Sequence, residues 1–317
     1  MNKSVRWSCV VASVLVSFAA HADSFPSKMI RATIPFGAGS ATDVVPRLVF
    51  ERIGAEFGQP IVVENRVGGG GSVGTGAVAK ADPDGYSILA HSSAIAITPA
   101  IFPNLPYDTS RDLSGVLMIG ASSNVMIVPT SRSWKTVADF LVDAKAKGSQ
   151  INFGSVGIGS NVHISAEKFR LAAGFEATHV PYRGGPEVIA DILGGRIDFY
   201  FCPLSTALPL IRDGQVRALV VSSATRAPDL PDVPTPAEAG VPGGDSTTWF
   251  AMFVPSKTPP DIIEKWHATG VKVLAQPDMQ VALKKLGIVP MPMKPAELDA
   301  LLAKEIASNM TVLKGMQ

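Results

Sequence analysis

Two stretches of the sequence, IPFGAGSATDVV at residues 34–45 and INFGSVGIGSNVH at residues 151–163, share one plan. Each passes from an apolar, strand-like run into a small glycine-bearing turn and then into the start of a helix. Glycines let a backbone approach something closely, and a helix N-terminus offers unpaired N–H groups and a partial positive charge, so an anion is the natural guest. The likeness continues downstream. Phe57-Gly58, the strand IVVEN, Arg66 and glycines follow the first turn; Ala173-Gly174, the strand ATHVPY, Arg183 and glycines follow the second. Phe36 to Phe153 and Arg66 to Arg183 share an offset of 117 residues. Two α/β lobes of similar plan are therefore expected. Ligands of open parallel sheets sit beyond the carboxyl ends of the strands, so facing lobes would close on a small molecule from both sides. The competing reading is that both turns only pack helix against strand.

The rest of the chain supports α/β units with mostly parallel sheets. MIRATIP, a helix through RLVFERIGAEF, PIVVEN, a glycine-rich turn and YSILAHS alternate in order, and INFGS, ATHVPY, RIDFYF and VRALVVSS resume the pattern. Proline-rich connections cluster in residues 227–244, and a helical tail is expected over roughly 260–314. At the other end, Lys3 and Arg6, the apolar run Trp7–Ala20 and Ala20-His21-Ala22 read as a secretory signal, residues 1–22, cleaved near Ala22. The apolar run is short for a bilayer span, and none of 18 or more apolar residues follows it. An exported, periplasmic protein is expected. Without the signal, 26 basic residues stand against 27 acidic, a net charge of −1, which points to neither nucleic acid nor an anionic membrane surface. Cys9 leaves with the signal and lacks a lipoprotein context, so Cys202 is the remaining thiol and no intramolecular disulfide is possible.

Several short motifs match and fail on context. Gly69 to Gly74 satisfies G-x-G-x-x-G, but Arg66-Val67-Gly68 intervenes after IVVEN, and the next strand ends in Ala90-His91-Ser92 without an acidic residue. A P-loop fails because no Lys follows Gly76, and Gly70-Gly71-Ser72-Val73-Gly74 matches a nucleophile elbow without a strand entering at the serine. His91, His163, His179 and His267 stand alone in sequence, so no metal site and no cofactor are expected. Asp82-Pro83-Asp84-Gly85 is a turn. Ser155, Ser160 and Asn161 fall where a strand meets a helix, as ligand donors or as ordinary N-caps. Asp43 reads as a capping residue, because a carboxylate facing an anion would repel it.

PFGAGSATDVVPRLV, VVENRVGGGGSVGTGAVAKADPDGYSIL, HVPYRGGPEVIADILGG and DLPDVPTPAEAGVPG resemble the recurring blocks of the Bug, or TctC-like, extracytoplasmic binding proteins, the solute receptors of tripartite tricarboxylate transporters. The resemblance spans nearly all the mature chain. It implies a two-lobed periplasmic-binding-protein fold, type II-like, with residues 23–124 plus 248–317 in lobe 1 and 125–247 in lobe 2. It also implies that a small carboxylate is held in the interlobe cleft, largely by backbone groups and water, and delivered to membrane transporter subunits by a monomeric receptor with no catalytic residues. By position the first-lobe loop is Phe36, Gly37, Ala38, Gly39 and Ser40, where the family usually has two prolines followed by two glycines. His91, Ser92 and Ser93 end the third strand and reach toward the cleft. The second-lobe loop runs over Ser155, Gly157, Ile158, Gly159, Ser160 and Asn161, with Ile158 at a commonly small or polar position. Cys202 stands where the family often has Asp, either lining the cleft or buried as a small hydrophobe. Two other functions share these residues: a periplasmic hydrolase acting on a small acid through the serines near glycines, and an orphan receptor feeding a signalling partner.

Overall fold

The computed structural model describes residues 25–314 except Gly159 and Arg183. The expected signal segment lies outside the described residues, and no helix within them is long and apolar enough to cross a membrane. The strands are β1 (Ile30–Ile34), β2 (Ile61–Asn65), β3 (Ser87–Ser92), β4 (Leu113–Pro129), β5 (Asn152–Ser155), β6 (Thr178–Pro181), β7 (Phe199–Pro203), β8 (Val216–Val221), β9 (Thr247–Pro255) and β10 (Val289–Pro290).

The repeated plan of the sequence is a repeated structure. In the first lobe β1 lies between β2 and β3, all parallel, with Ile30 opposite Ile61 and Arg31 opposite Ser87. In the second, β5 lies between β6 and β7, again parallel, with Asn152 opposite Thr178 and Phe153 opposite Phe199. The helices Ala41–Phe57 and Asn161–Ala173 carry the chain from the central strand to its neighbour. Both stop the same way. Gly58 and Gly174 each take φ 65°, and the next residue's N–H reaches back to Gly54 O or Arg170 O, a Schellman closure that an L side chain would strain.

Each lobe has the expected parallel strands flanked by helices, and antiparallel strands join them at the centre. β4 is 17 residues long. Its Leu113–Ser123 portion pairs antiparallel with β9, while Asn124–Pro129 pairs antiparallel with β7 and β8. β4 leaves the first lobe in the same direction as β1 and β3 and enters the second against β5 and β7, while β9 runs against β3 and β4. Antiparallel pairs at the centre follow from connectivity. The expected helical tail is three helices, Pro260–Leu274, Pro277–Lys285 and Pro295–Lys314, with β10 pairing β4 between the last two.

Each sheet is covered on both faces, and strand alternation sorts the side chains. In β9, Phe250, Met252 and Val254 join Val49, Phe50, Ile53 and Trp266 on one face, whereas Trp249, Ala251 and Phe253 join Leu89, Leu298 and Leu302 on the other. In β7, Phe199 and Phe201 meet Phe140, Phe153 and Phe169, while Tyr200 and Cys202 turn to Val125, Ile127 and Val221. Strands this thoroughly covered present their termini as the ends where a ligand can sit.

Candidate functional site

The carboxyl ends of β1, β3 and β5 bring the expected loops together. In the first lobe, the Phe36–Ser40 loop is held by an ionic network on Asp43. Its carboxylate accepts from Gly39 N at 2.9 Å, Arg47 Nε at 2.7 Å and Asn65 Nδ2 at 2.8 Å, and Asn65 Nδ2 also reaches Phe36 O at 2.8 Å. Burial opposes ionisation of Asp43, but the hydrogen bonds from Asn65, Gly39 and Arg47 outweigh it and hold the carboxyl below its ordinary value. Asp43 thus fastens the loop, as a capping residue would. The N–H groups of Asp43 and Val44 return to Ser40 O, which leaves those of Ala41 and Thr42 unfilled at the helix start. Ser40 Oγ is buried there with no partner. A Cβ built at Gly37 or Gly39 would meet nothing within 4 Å, so the loop faces open space.

The second-lobe loop is closed on itself. Ser160 Oγ donates to Gly157 O at 2.7 Å and caps its helix by accepting from His163 N at 3.4 Å. Ser155 Oγ accepts from Gly157 N at 3.1 Å and lies 2.6 Å from His179 Nε2. Both hydroxyls, expected as ligand donors, are therefore occupied by the loop, and the N-cap reading holds for Ser160. What remains toward solvent is backbone: Ile164 N returns to Ser160 O, leaving the N–H groups of Asn161 and Val162. Ile158 is 77% exposed, and Gly157 at φ 114° faces open space. Gly159 lies outside the described residues. The turn after β3 meets the start of the second-lobe helix through Ser93 Oγ, which donates to Asn161 Oδ1 at 3.1 Å across the lobes. Ser92 Oγ accepts from Ala94 N and caps the short turn after β3.

Cys202 leaves the candidate site. It is fully buried on the face of β7 that carries Tyr200, and burial pushes its thiol up to about 12.

Several elements of the site have no sequence signal. His163 and His179, 16 positions apart in the chain, lie with ring centroids 4.1 Å apart and planes tilted by 38°, and His179 also stacks on Phe153 at 4.9 Å. Burial first, then Arg170 beside His163 and His163 beside His179, lowers both imidazoles to about 4. Ser155 and His179 have the separation of a nucleophile and base. However, Ser155 is fully buried and so weakly basic an imidazole activates poorly, which makes the contact a brace for the loop. At the crossover, Asn124 N donates to Ser222 Oγ, Ser222 N to Asn124 O and Ser246 N to Ser222 O, while Asn124 Nδ2 donates to Ser165 Oγ at 3.0 Å. Among the described residues no group of three or more His, Cys, Asp or Glu could hold a metal.

Residues 45–317 match the family described as the tripartite tricarboxylate transporter family receptor, TctC. BugT of Bordetella pertussis is 31% identical over 298 residues, 93% of this chain and 91% of that protein. Rpa4515 of R. palustris, solved with adipate, superposes with a TM-score of 0.76 at 31% identity, covering 92% of this chain and 97% of that one. MatC from Rhodopseudomonas palustris, with bound malate, gives 0.73 at 29% identity over 91% and 100% of the two chains. With its paired α/β lobes and loops meeting at the strand ends, this chain belongs to the TctC family of periplasmic solute-binding receptors.

Proposed function

We propose that this protein captures a small carboxylate between its lobes and delivers it to the membrane subunits of a tripartite transporter, acting as a monomer without cofactor, metal or catalysis. One observation carries the reading. Two helix N-termini, one from each lobe, leave first-turn N–H groups unfilled at Ala41 and Thr42 and at Asn161 and Val162, and the second is tied to the first lobe by the Ser93–Asn161 hydrogen bond. In this reading residues 23–124 plus 248–317 form one lobe and 125–247 the other, with β4 and β9 as the hinge. Phe36 to Ser40, Ser93, Gly157, Ile158 and Asn161 line the cleft, and residues 1–22 direct export. The adipate and malate held by the two R. palustris relatives support a carboxylate here.

A thermal-shift panel of mono-, di- and tricarboxylates, sugars and cations tests it. A ligand at 100 times its Kd should stabilise the fold by about 2.7 kcal/mol and raise the melting midpoint by several degrees. Shifts confined to sugars or cations would refute the anion reading. Turnover of a bound acid that stops on Ser72→Ala would make the protein a hydrolase instead.

A further inference from the structure

His91 closes β3 with one ring nitrogen that nothing in the fold uses. Its Nδ1 lies 2.8 Å from Ser92 O. A carbonyl only accepts, so Nδ1 carries the proton and the neutral ring presents Nε2 as a bare acceptor. The residue is fully buried, and Nε2 has no partner. Buried polar groups are nearly always paired, so the exception has a cause.

The surroundings of Nε2 belong to the cleft. Gly71, at φ 95°, leaves its side bare: a Cβ there would sit 2.8 Å from Nε2 and 3.4 Å from Phe36 Cζ. Phe36, half-buried, stands edge to face on His91 with ring centroids 5.3 Å apart. Phe36 also opens the loop that ends at Ser40, whose buried hydroxyl likewise has no partner among the described residues. An unpartnered hydroxyl and an unpartnered ring acceptor thus lie on the two elements that Phe36 joins, its own loop and the end of β3.

Resting on the carboxylate reading above, we infer that His91 Nε2 accepts a hydrogen bond from a hydroxyl of the solute, and that the receptor selects hydroxylated carboxylates over their deoxy counterparts. The carboxylate takes Ser40 Oγ and the N–H groups of Ala41 and Thr42; the hydroxyl replaces the Phe36 edge at Nε2. A second carboxylate could not serve Nε2, since both are acceptors. An ammonium would donate, but Asp43, the acid of this loop, is already saturated by Gly39, Arg47 and Asn65. A hydroxyl is the donor that needs no counter-charge.

Calorimetry with propionate against lactate and succinate against malate tests the inference, because each pair differs by one hydroxyl. The hydroxylated member should bind about tenfold tighter. His91→Leu should abolish that preference by weakening the hydroxylated member alone, and His91→Gln, which keeps an acceptor, should retain part of it. In the unaltered protein the ¹⁵N resonance of Nε2 should move on adding lactate or malate and stay fixed with propionate or succinate; this arm stands even if His91→Leu fails to fold. Equal affinity within each pair, an equal loss for both members in His91→Leu, or an unmoved Nε2 resonance overturns the inference while leaving the carboxylate reading intact. Absence of binding by these four acids and by every other carboxylate of the thermal-shift panel overturns both.

Discussion

Lowering the pH from 7 to 4.5 should remove much of this protein's stability, because three imidazoles are folded in neutral form. His91 is fully buried and His163 is 2% exposed; both are held at about 4 against an ordinary 6.5, chiefly by burial, and His179 joins them through burial and its contact with His163. The unfolded chain takes up protons below 6.5 and the fold refuses them until near 4. The stabilisation is therefore complete above pH 6.5 and is lost as pH falls toward 4. At pH 4.5 this costs about 2.6 kcal/mol for each of His91 and His163. His179 is left out of that sum, since it is less buried and charging one ring of the adjacent pair hinders charging the other. A loss of about 5 kcal/mol is comparable to the whole stability of many domains. Asp299 and Glu305 act oppositely: burial raises both, so they gain stability as the pH falls and offset part of the loss. Urea denaturation at pH 7, 6, 5 and 4.5, with ring resonances followed by NMR over the same range, measures the effect. Equal stability at pH 7 and 5, or midpoints near 6.5 for His91 and His163, would refute the reasoning.

Asp43→Asn should lower stability by about 2–3 kcal/mol, since the Gly39 and Asn65 donors lose a charged acceptor while half-exposed Arg47 is largely compensated by water; denaturation curves unchanged from the parent would mean the network does not hold the loop. Cys202→Asp should cost more than about 3 kcal/mol by burying an unpaired charge, and the native thiol should react with a thiol reagent only after unfolding; fast labelling of the folded protein would return Cys202 to the cleft. A double-mutant cycle of Ser93→Ala and Asn161→Ala should show a coupling of about 0.5–1 kcal/mol in stability, and zero coupling would mean the lobes are not joined at that point in solution.

The sequence by itself determined the paired lobes. Strand, glycine-bearing turn, helix and αL glycine recur in the same order, and each step is a local preference acting within a few residues: β-branched runs, a polar residue at the helix start, a glycine where φ must be positive at Gly58 and Gly174. It also located the loops that carry the candidate site. It did not reveal β4 and β9 as crossing strands, because a run such as LSGVLMIGASSNVMIVP, covered on both faces, lacks the alternation that marks a half-exposed strand.

Only the tertiary structure decided what each polar side chain is for. Ser155 and Ser160 spend their hydroxyls inside their own loop, Ser93 reaches 68 positions along the chain to Asn161, and Cys202 faces the core because β7 is covered on both faces. His91 is left with a bare nitrogen because Gly71 and Phe36, from two other turns, close over it without offering a donor. Whether a polar atom is satisfied depends on every segment packed against it, and those segments meet only after the sheets have set their register.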